Sequence, residues 1–234
     1  MDDTDYTVRF SRRARRISLR VLPHGMVEVV APEGFDEQTV HYFVARHRDW
    51  IARTRNRLMG ASRVAPEHDG PRPARIRLAA VNEDWRLFYD PAAERLGAHS
   101  GAGYLRLPEV GNKATADLLR RWMRGRATEH FHPWLREMAV EYGFSVNKVY
   151  IRIQRSRWGS CSARNNISLN ANLLFLRPAV VRYLFVHELC HTVHLNHSSE
   201  YWRLVAELEP QWKSLDRELS EGYRSIPSWA LPFG

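Results

Sequence analysis

Lysine is nearly missing from this chain. Of its 35 basic residues only Lys113, Lys148 and Lys213 are lysines. The net charge of +9 is therefore almost wholly guanidinium. Such a charge allows a nucleic-acid partner, but arginine-rich composition explains it equally well. Cysteine is scarce too. Cys161 and Cys190 are the only two, fewer than a disulfide framework in a secreted protein of this size would use, so a reducing compartment is expected. The opening MDDTDYTVRF has no basic stretch followed by an apolar core, so no secretory leader is expected. No window approaches the ~18 apolar residues of a membrane span. The expected location is cytoplasmic, with no membrane partner. The sequence also lacks a G-x-x-x-x-G-K-[ST] loop and a dinucleotide fingerprint, which removes phosphate-loop chemistry.

What is present is enough apolar residue, 44% of the chain, to bury a core in one large domain or two small ones. The pattern predicts an α+β protein. Residues 1–110 read as a β-rich part with one long helix, and residues 111–234 as a helical part with a small sheet. Tyr6 to Phe10, Ile17 to Leu22 and Met26 to Ala31 alternate as strands, the last two joined by a turn at His24-Gly25. Arg12 to Arg16 reads as a solvated basic turn rather than an anion contact. Asp36 caps a helix expected to run to about Leu58. Gly60 to Pro73 reads as linker. Short strands follow at Arg75 to Leu78, Trp85 to Tyr89 and Tyr104 to Leu107, with a loose connection over Pro91 to Gly103. Asn112 to Tyr142 carries a long helical pattern that Gly125 and Pro133 bend or divide, with Gly143 as its stop. Val149 to Ile153 and Ile167 to Asn170 alternate as strands. Two helices end the chain, from Pro178 and over Ser198 to Ser220, before a tail expected on the surface past Gly222.

The chemistry concentrates in RYLFVHELCHTVHLNHSSEYW, Arg182 to Trp202. Within it His187, Glu188 and His191 form H-E-x-x-H. At about 100° per helical residue, His187 and His191 lie about 40° apart and one turn along. Two imidazoles so placed can grip one ion, with Glu188 on the adjoining flank as a general base. A catalytic zinc takes a third protein ligand. His197 fits best, because Leu195-Asn196 lets the helix stop and the chain turn inward. Glu207, Glu200 and His194 are the rivals, His194 being two turns from His187. His130 and His132 face different ways on their helix and are discounted. Cys190 reads as core. Cys161 sits in a loop whose Gly159 permits close backbone approach. That loop is either an edge strand that takes up extended peptide or a tight turn that holds Trp158 in the core. Arg157, Gly159, Ser160 and Tyr201 are the candidate substrate contacts, and Tyr183, Tyr201 or Arg157 the candidate oxyanion donor. A nucleophilic Cys161 is a weaker alternative, since it leaves the spacing of the three histidines unexplained.

The sequences R-W-G-S-C-S (Arg157 to Ser162), I-S-L-N (Ile167 to Asn170), H-E-L-C-H and N-H-S-S-E-Y-W (Asn196 to Trp202), with R-R-A-R-R-I-S-L-R-V near the start, resemble the YgjP-like metallopeptidases, relatives of the SprT-like zincins. The resemblance implies a zincin-like catalytic part over residues 111–234, a Zn2+ cofactor, a peptide or protein substrate and a histidine ligand at position 197. It also departs from the pattern. Ala171 stands where the family usually has Trp, so that pocket wall is expected to differ. The four-cysteine module that SprT-like proteases often add for DNA is missing, which weakens a DNA-associated protease as the alternative function.

Overall fold

Alternating apolar and polar residues build three small sheets, and each sheet is strung the same way. A computed structural model of the chain describes residues 6–21, 27–59, 70, 72–99 and 103–231. They belong to two compact units, Met1–Val64 and Ala65–Gly234.

In the first unit β3 (Val27–Pro32) lies between β1 (Tyr6–Ser11), to which it is parallel, and β2 (Ser18–Val21), to which it is antiparallel. Val27, Val29 and Ala31 share one face of β3. They pack with Val40 and Val44 of α1 (Glu37–Arg46) and Ile51 of α2 (Arg48–Met59). Asp36 caps α1, accepting a hydrogen bond from the Thr39 amide at 2.6 Å. The single helix expected here is two. The break is at His47, whose Nδ1 lies 2.8 Å from the Phe43 carbonyl. The ring thus takes the acceptor that a continuing helix gives to the backbone amide of residue 47. The His24-Gly25 turn and most of the expected linker lie outside the described residues.

The second unit holds two sheets, and its α+β character matches the expected class. β4 (Arg75–Leu78), β5 (Glu83–Asp90), β6 (Gly97–His99) and β7 (Tyr104–Pro108) form one, in the order β4-β5-β7-β6. β8 (Val149–Arg152), β9 (Gly159–Cys161) and β10 (Ile167–Asn170) form the other, in the order β8-β10-β9. β5, β6 and β7 repeat the plan of the first unit, and so do β8, β9 and β10. The third strand is parallel to the first and antiparallel to the second. β6 falls in the stretch expected to be loose, because three residues are too few to show a period.

The expected division at residue 110 falls inside this unit. Trp85 and Leu105 of the sheet share a core with Leu119, Trp122 and Met123 of α3 (Asn112–Glu141). Trp85 meets Trp122 edge-on at 5.2 Å, and Arg126 pairs with Glu83, which also takes His130 at 2.9 Å. α3 runs unbroken through Gly125 and Pro133. It ends where Gly143 adopts φ +72° and the Phe144 amide donates to the Ala139 carbonyl at 2.7 Å.

α4 (Pro178–Cys190) follows β10 through a 3-10 turn over Ala171–Phe175 and is buried nearly all round. The last expected helix is two, α5 (Ser199–Leu208) and α6 (Trp212–Glu221), separated at Pro210, which cannot donate within a helix. The tail past Gly222, expected on the surface, packs inward over its described residues. Ile226, Trp229, Ala230 and Leu231 are buried in the core, and Arg120 donates to the carbonyls of Trp229 (2.7 Å) and Leu231 (3.1 Å). The neighbours of Pro227 thus carry a hydrophobic anchor that the Pro-containing composition conceals. No helix among the described residues is long and apolar enough to cross a membrane.

Candidate metal centre

α4 brings His187 and Glu188 up from the core, and His191 stands at its C-terminal cap. The chain then turns through Thr192 to Asn196 and returns His197 just before Ser198, whose hydroxyl caps α5 by accepting from the Tyr201 amide. Three Nε2 atoms meet as a result. His197 Nε2 is 3.1 Å from His191 Nε2 and 3.4 Å from His187 Nε2. His187, His191 and His197 are the group of three with metal-ligand geometry among the described residues. Glu200, Glu207 and His194 are not part of it. His194 instead offers its backbone carbonyl to His191 Nδ1 at 2.9 Å. That bond puts the proton on Nδ1 and leaves Nε2 as a lone pair facing its neighbours. Three imidazole nitrogens this close together, one of them a free lone pair, are a donor set that suits a metal ion.

Burial tunes the site. It pushes His187 down to about 3, with the neighbouring His191 and His197 adding to the shift, and it lowers His191 as well. Both imidazoles are therefore neutral and able to bind metal at neutral pH. Glu188 is 3% exposed, and its Oε2 has no hydrogen-bond partner among the described residues. Burial pushes its carboxyl up to about 8.

This shift has a consequence for metal-free protein. A carboxyl raised from 4.5 to about 8 holds its proton in the folded state after the unfolded chain has lost it. Its contribution to stability is full below 4.5 and is lost as pH rises toward 8. Denaturant unfolding of metal-free wild type beside Glu188→Gln is expected to show wild type losing stability relative to the variant across that window. Parallel curves would count against burial as the cause.

β9 presses on this carboxylate. A Cβ at Gly159 would meet Glu188 Oε1, with Cδ 2.8 Å and Cγ 2.9 Å away. Gly159 and Cys161 point to the Glu188 side of the sheet and Ser160 to the other. The Cys161 thiol is half-buried and pushed up to about 11 by burial and by the Glu188 charge. It is no thiolate at neutral pH, which weighs against a nucleophilic role. Arg157 is exposed at the entrance to β9, and Trp158 is buried against Tyr223 with ring centroids 4.0 Å apart. The loop thus anchors Trp158, and β9 lies at a sheet edge.

Tyr201 is placed differently from its expected role. It is fully buried and lies beneath the imidazoles, stacked on His191 at 4.5 Å and edge-on to His197 at 4.8 Å. Its hydroxyl donates to the His187 carbonyl at 3.2 Å. Tyr183 is equally buried and donates to Asp216 at 2.8 Å. Neither phenol is free to reach a substrate. Cys190 is buried in the core, as expected.

Asn170 is the residue that sequence reading passed over. It is fully buried, and its Nδ2 donates to the carbonyls of Gln154 (2.9 Å) and Arg157 (2.8 Å). Its Oδ1 accepts from the Asn172 amide at 3.1 Å. It fixes the loop that delivers β9 to Glu188. The available signal was an amide side chain ending an apolar strand, which needs buried partners.

The crystal structure of the metallopeptidase zymogen of Pyrococcus abyssi abylysin is similar to part of this chain. The match covers 41% of this chain and 97% of that one, at 26% identity and a TM-score of 0.36. No curated protein matches. The model of the YgjP-like metallopeptidase domain matches residues 15–222. A metallopeptidase implies a metal ion and a peptide or protein substrate, and it lends no support to the nucleic-acid partner that the net charge allows. Most of the chain, from just before β2 to the end of α6, thus belongs to the YgjP-like metallopeptidase family.

Proposed function

We propose that the protein is a zinc-dependent peptidase, with His187, His191 and His197 as ligands and Glu188 as general base. One observation carries this reading. Tetrahedral zinc with Zn–N bonds of about 2.0–2.1 Å needs its nitrogens about 3.3–3.4 Å apart, and the Nε2 separations of 3.1 and 3.4 Å lie close to that. Three protein donors leave the fourth position open, as in catalytic rather than structural sites.

A bound zinc ion would acidify a water toward a pKa of about 7 and polarise the scissile carbonyl. The chain's own groups do the rest. Glu188 accepts the proton of the attacking water and returns it to the departing amine. Burial makes its carboxyl proton-hungry, and a cation nearby offsets that rise. Substrate orientation falls to β9. The Trp158 carbonyl accepts from the Asn170 amide, and the Ser162 amide donates to the Asn166 carbonyl. By antiparallel alternation the main-chain groups of Gly159 and Cys161 are directed away from β10. They suit an extended peptide laid alongside as the next strand. Arg157, exposed at the same edge, is the group left for a contact with substrate.

The test is reconstitution. The purified protein is expected to hold about one zinc per chain through these ligands, to lose peptide hydrolysis on chelation and to regain it on zinc addition. Hydrolysis that survives complete removal of metal would sink the proposal.

A further inference from the structure

The three imidazoles are not held alike. His187 rises from a buried helix and is itself half-buried, so packing holds it although its Nδ1 has no hydrogen-bond partner among the described residues, and His191 is oriented through Nδ1 by the His194 carbonyl. His197 is exposed on the connection between α4 and α5, and its Nδ1 has no hydrogen bond among the described residues. A metal-binding histidine is ordinarily oriented by a partner on its second nitrogen. His197 is contacted instead over its ring face. Trp202 is stacked on His197 with centroids 5.4 Å apart and planes at 20°. Trp212 is stacked on Trp202 from behind at 4.4 Å and 20°. The second stack crosses the break at Pro210, so the start of α6 braces the start of α5.

We propose that Trp202, braced by Trp212, is the positioning residue of the metal centre, holding His197 by its face so that Nε2 meets the other two imidazoles. The inference rests on His197 being a ligand. The chemistry favours the loaded state. Coordination draws electron density from an imidazole, and an electron-poor ring stacks better on indole, in the manner of a cation on an aromatic face. Trp202 therefore contributes to metal affinity and not only to packing. A residue that merely filled space would not.

The experiment measures Zn2+ affinity of the full chain by competition with a chromophoric chelator, with circular dichroism as the check on folding. Trp202→Leu is expected to weaken binding ~10–100-fold, the usual cost of losing a ligand's supporting partner. Trp202→Phe, which restores a ring face, is expected to recover most of that loss. Leu208→Ala, on the same helix but packed on the core, should bind zinc as wild type does. Equal affinities in Trp202→Leu and wild type, or equal losses in the Leu and Phe variants, would overturn the proposal. If Trp202→Leu does not fold, Trp212→Leu removes the brace alone and is expected to weaken binding several-fold. Unchanged affinity there overturns the proposal as well. His197→Ala separates the two readings. If it binds zinc as tightly as wild type, the ligand assignment fails. If it loses zinc while Trp202→Leu keeps it, only the role of Trp202 fails.

Discussion

Glu188→Gln is expected to keep its zinc and to lose peptide hydrolysis by ~10²–10⁴-fold, the range over which a positioned general base acts. The amide has nearly the shape of the carboxylate, so the helix and the two flanking ligands stay as they are. What is lost is the ability to accept a proton. The environment makes the substitution unusually clean. Glu188 is almost fully buried, and its Oε2 has no protein partner among the described residues to be disturbed. Removal of the buried charge also relieves the metal-free fold, so the variant is expected to be no less stable than wild type above neutral pH. Zinc content by elemental analysis and kcat/KM on a peptide library, read side by side, make the check. A variant that cleaves as fast as wild type ends the proposed mechanism, and one that loses zinc turns Glu188 into a structural residue.

Gly159→Ala is expected to lose ~10²-fold or more in activity, the cost of misplacing a reacting group by about 1 Å. The added methyl would stand 2.8 Å from Glu188 Cδ and 2.9 Å from Cγ, where carbon atoms at rest keep about 3.5–4.0 Å. One side must yield. β9 is tied to β10 across Leu169 and Ser168, and its approach is pinned by the hydrogen bonds of Asn170. The carboxylate is the softer partner, and its movement removes the base from its place. Zinc binding is expected to survive, since the clash falls on Glu188 and not on the imidazoles. Full activity in Gly159→Ala would show that the carboxylate tolerates displacement. Lost metal would show that β9 supports the ligands as well.

The pairing of His187 with His191 was legible because helix geometry fixes it. A spacing of four on a regular helix sets two imidazoles one turn apart whatever surrounds them, but the helix stops earlier than the expected Leu195-Asn196: α4 ends at Cys190, and the turn through Thr192 to Asn196 is what returns His197. The place of Glu188 beside His187 follows by the same rule. Less was legible wherever the deciding contact lies between residues far apart in sequence. Nothing local says that Gly159 faces Glu188, or that Tyr201 lies under the ligands and not over the substrate. Nor does a Pro-containing tail announce that Trp229 is buried, when the carbonyl contacts of Arg120 are what hold it there. Breaks at His47 and Pro210 were missed for a milder reason. Apolar spacing carries across a kink, so periodicity counted one helix where side-chain bonding or a missing amide makes two. The expected division at residue 110 failed to foresee that Trp85 and Trp122 touch.

The apolar clusters of the two units have no residue in common. Val27, Val29, Ala31, Val40, Val44 and Ile51 make up one, and α4 with the site it carries lies wholly in the other. A cofactor that binds only a native conformation lends its free energy to whatever must open for it to leave. On the zinc reading, cellular zinc supply governs how long the portion that carries α4 endures, because opening it must first release the ion.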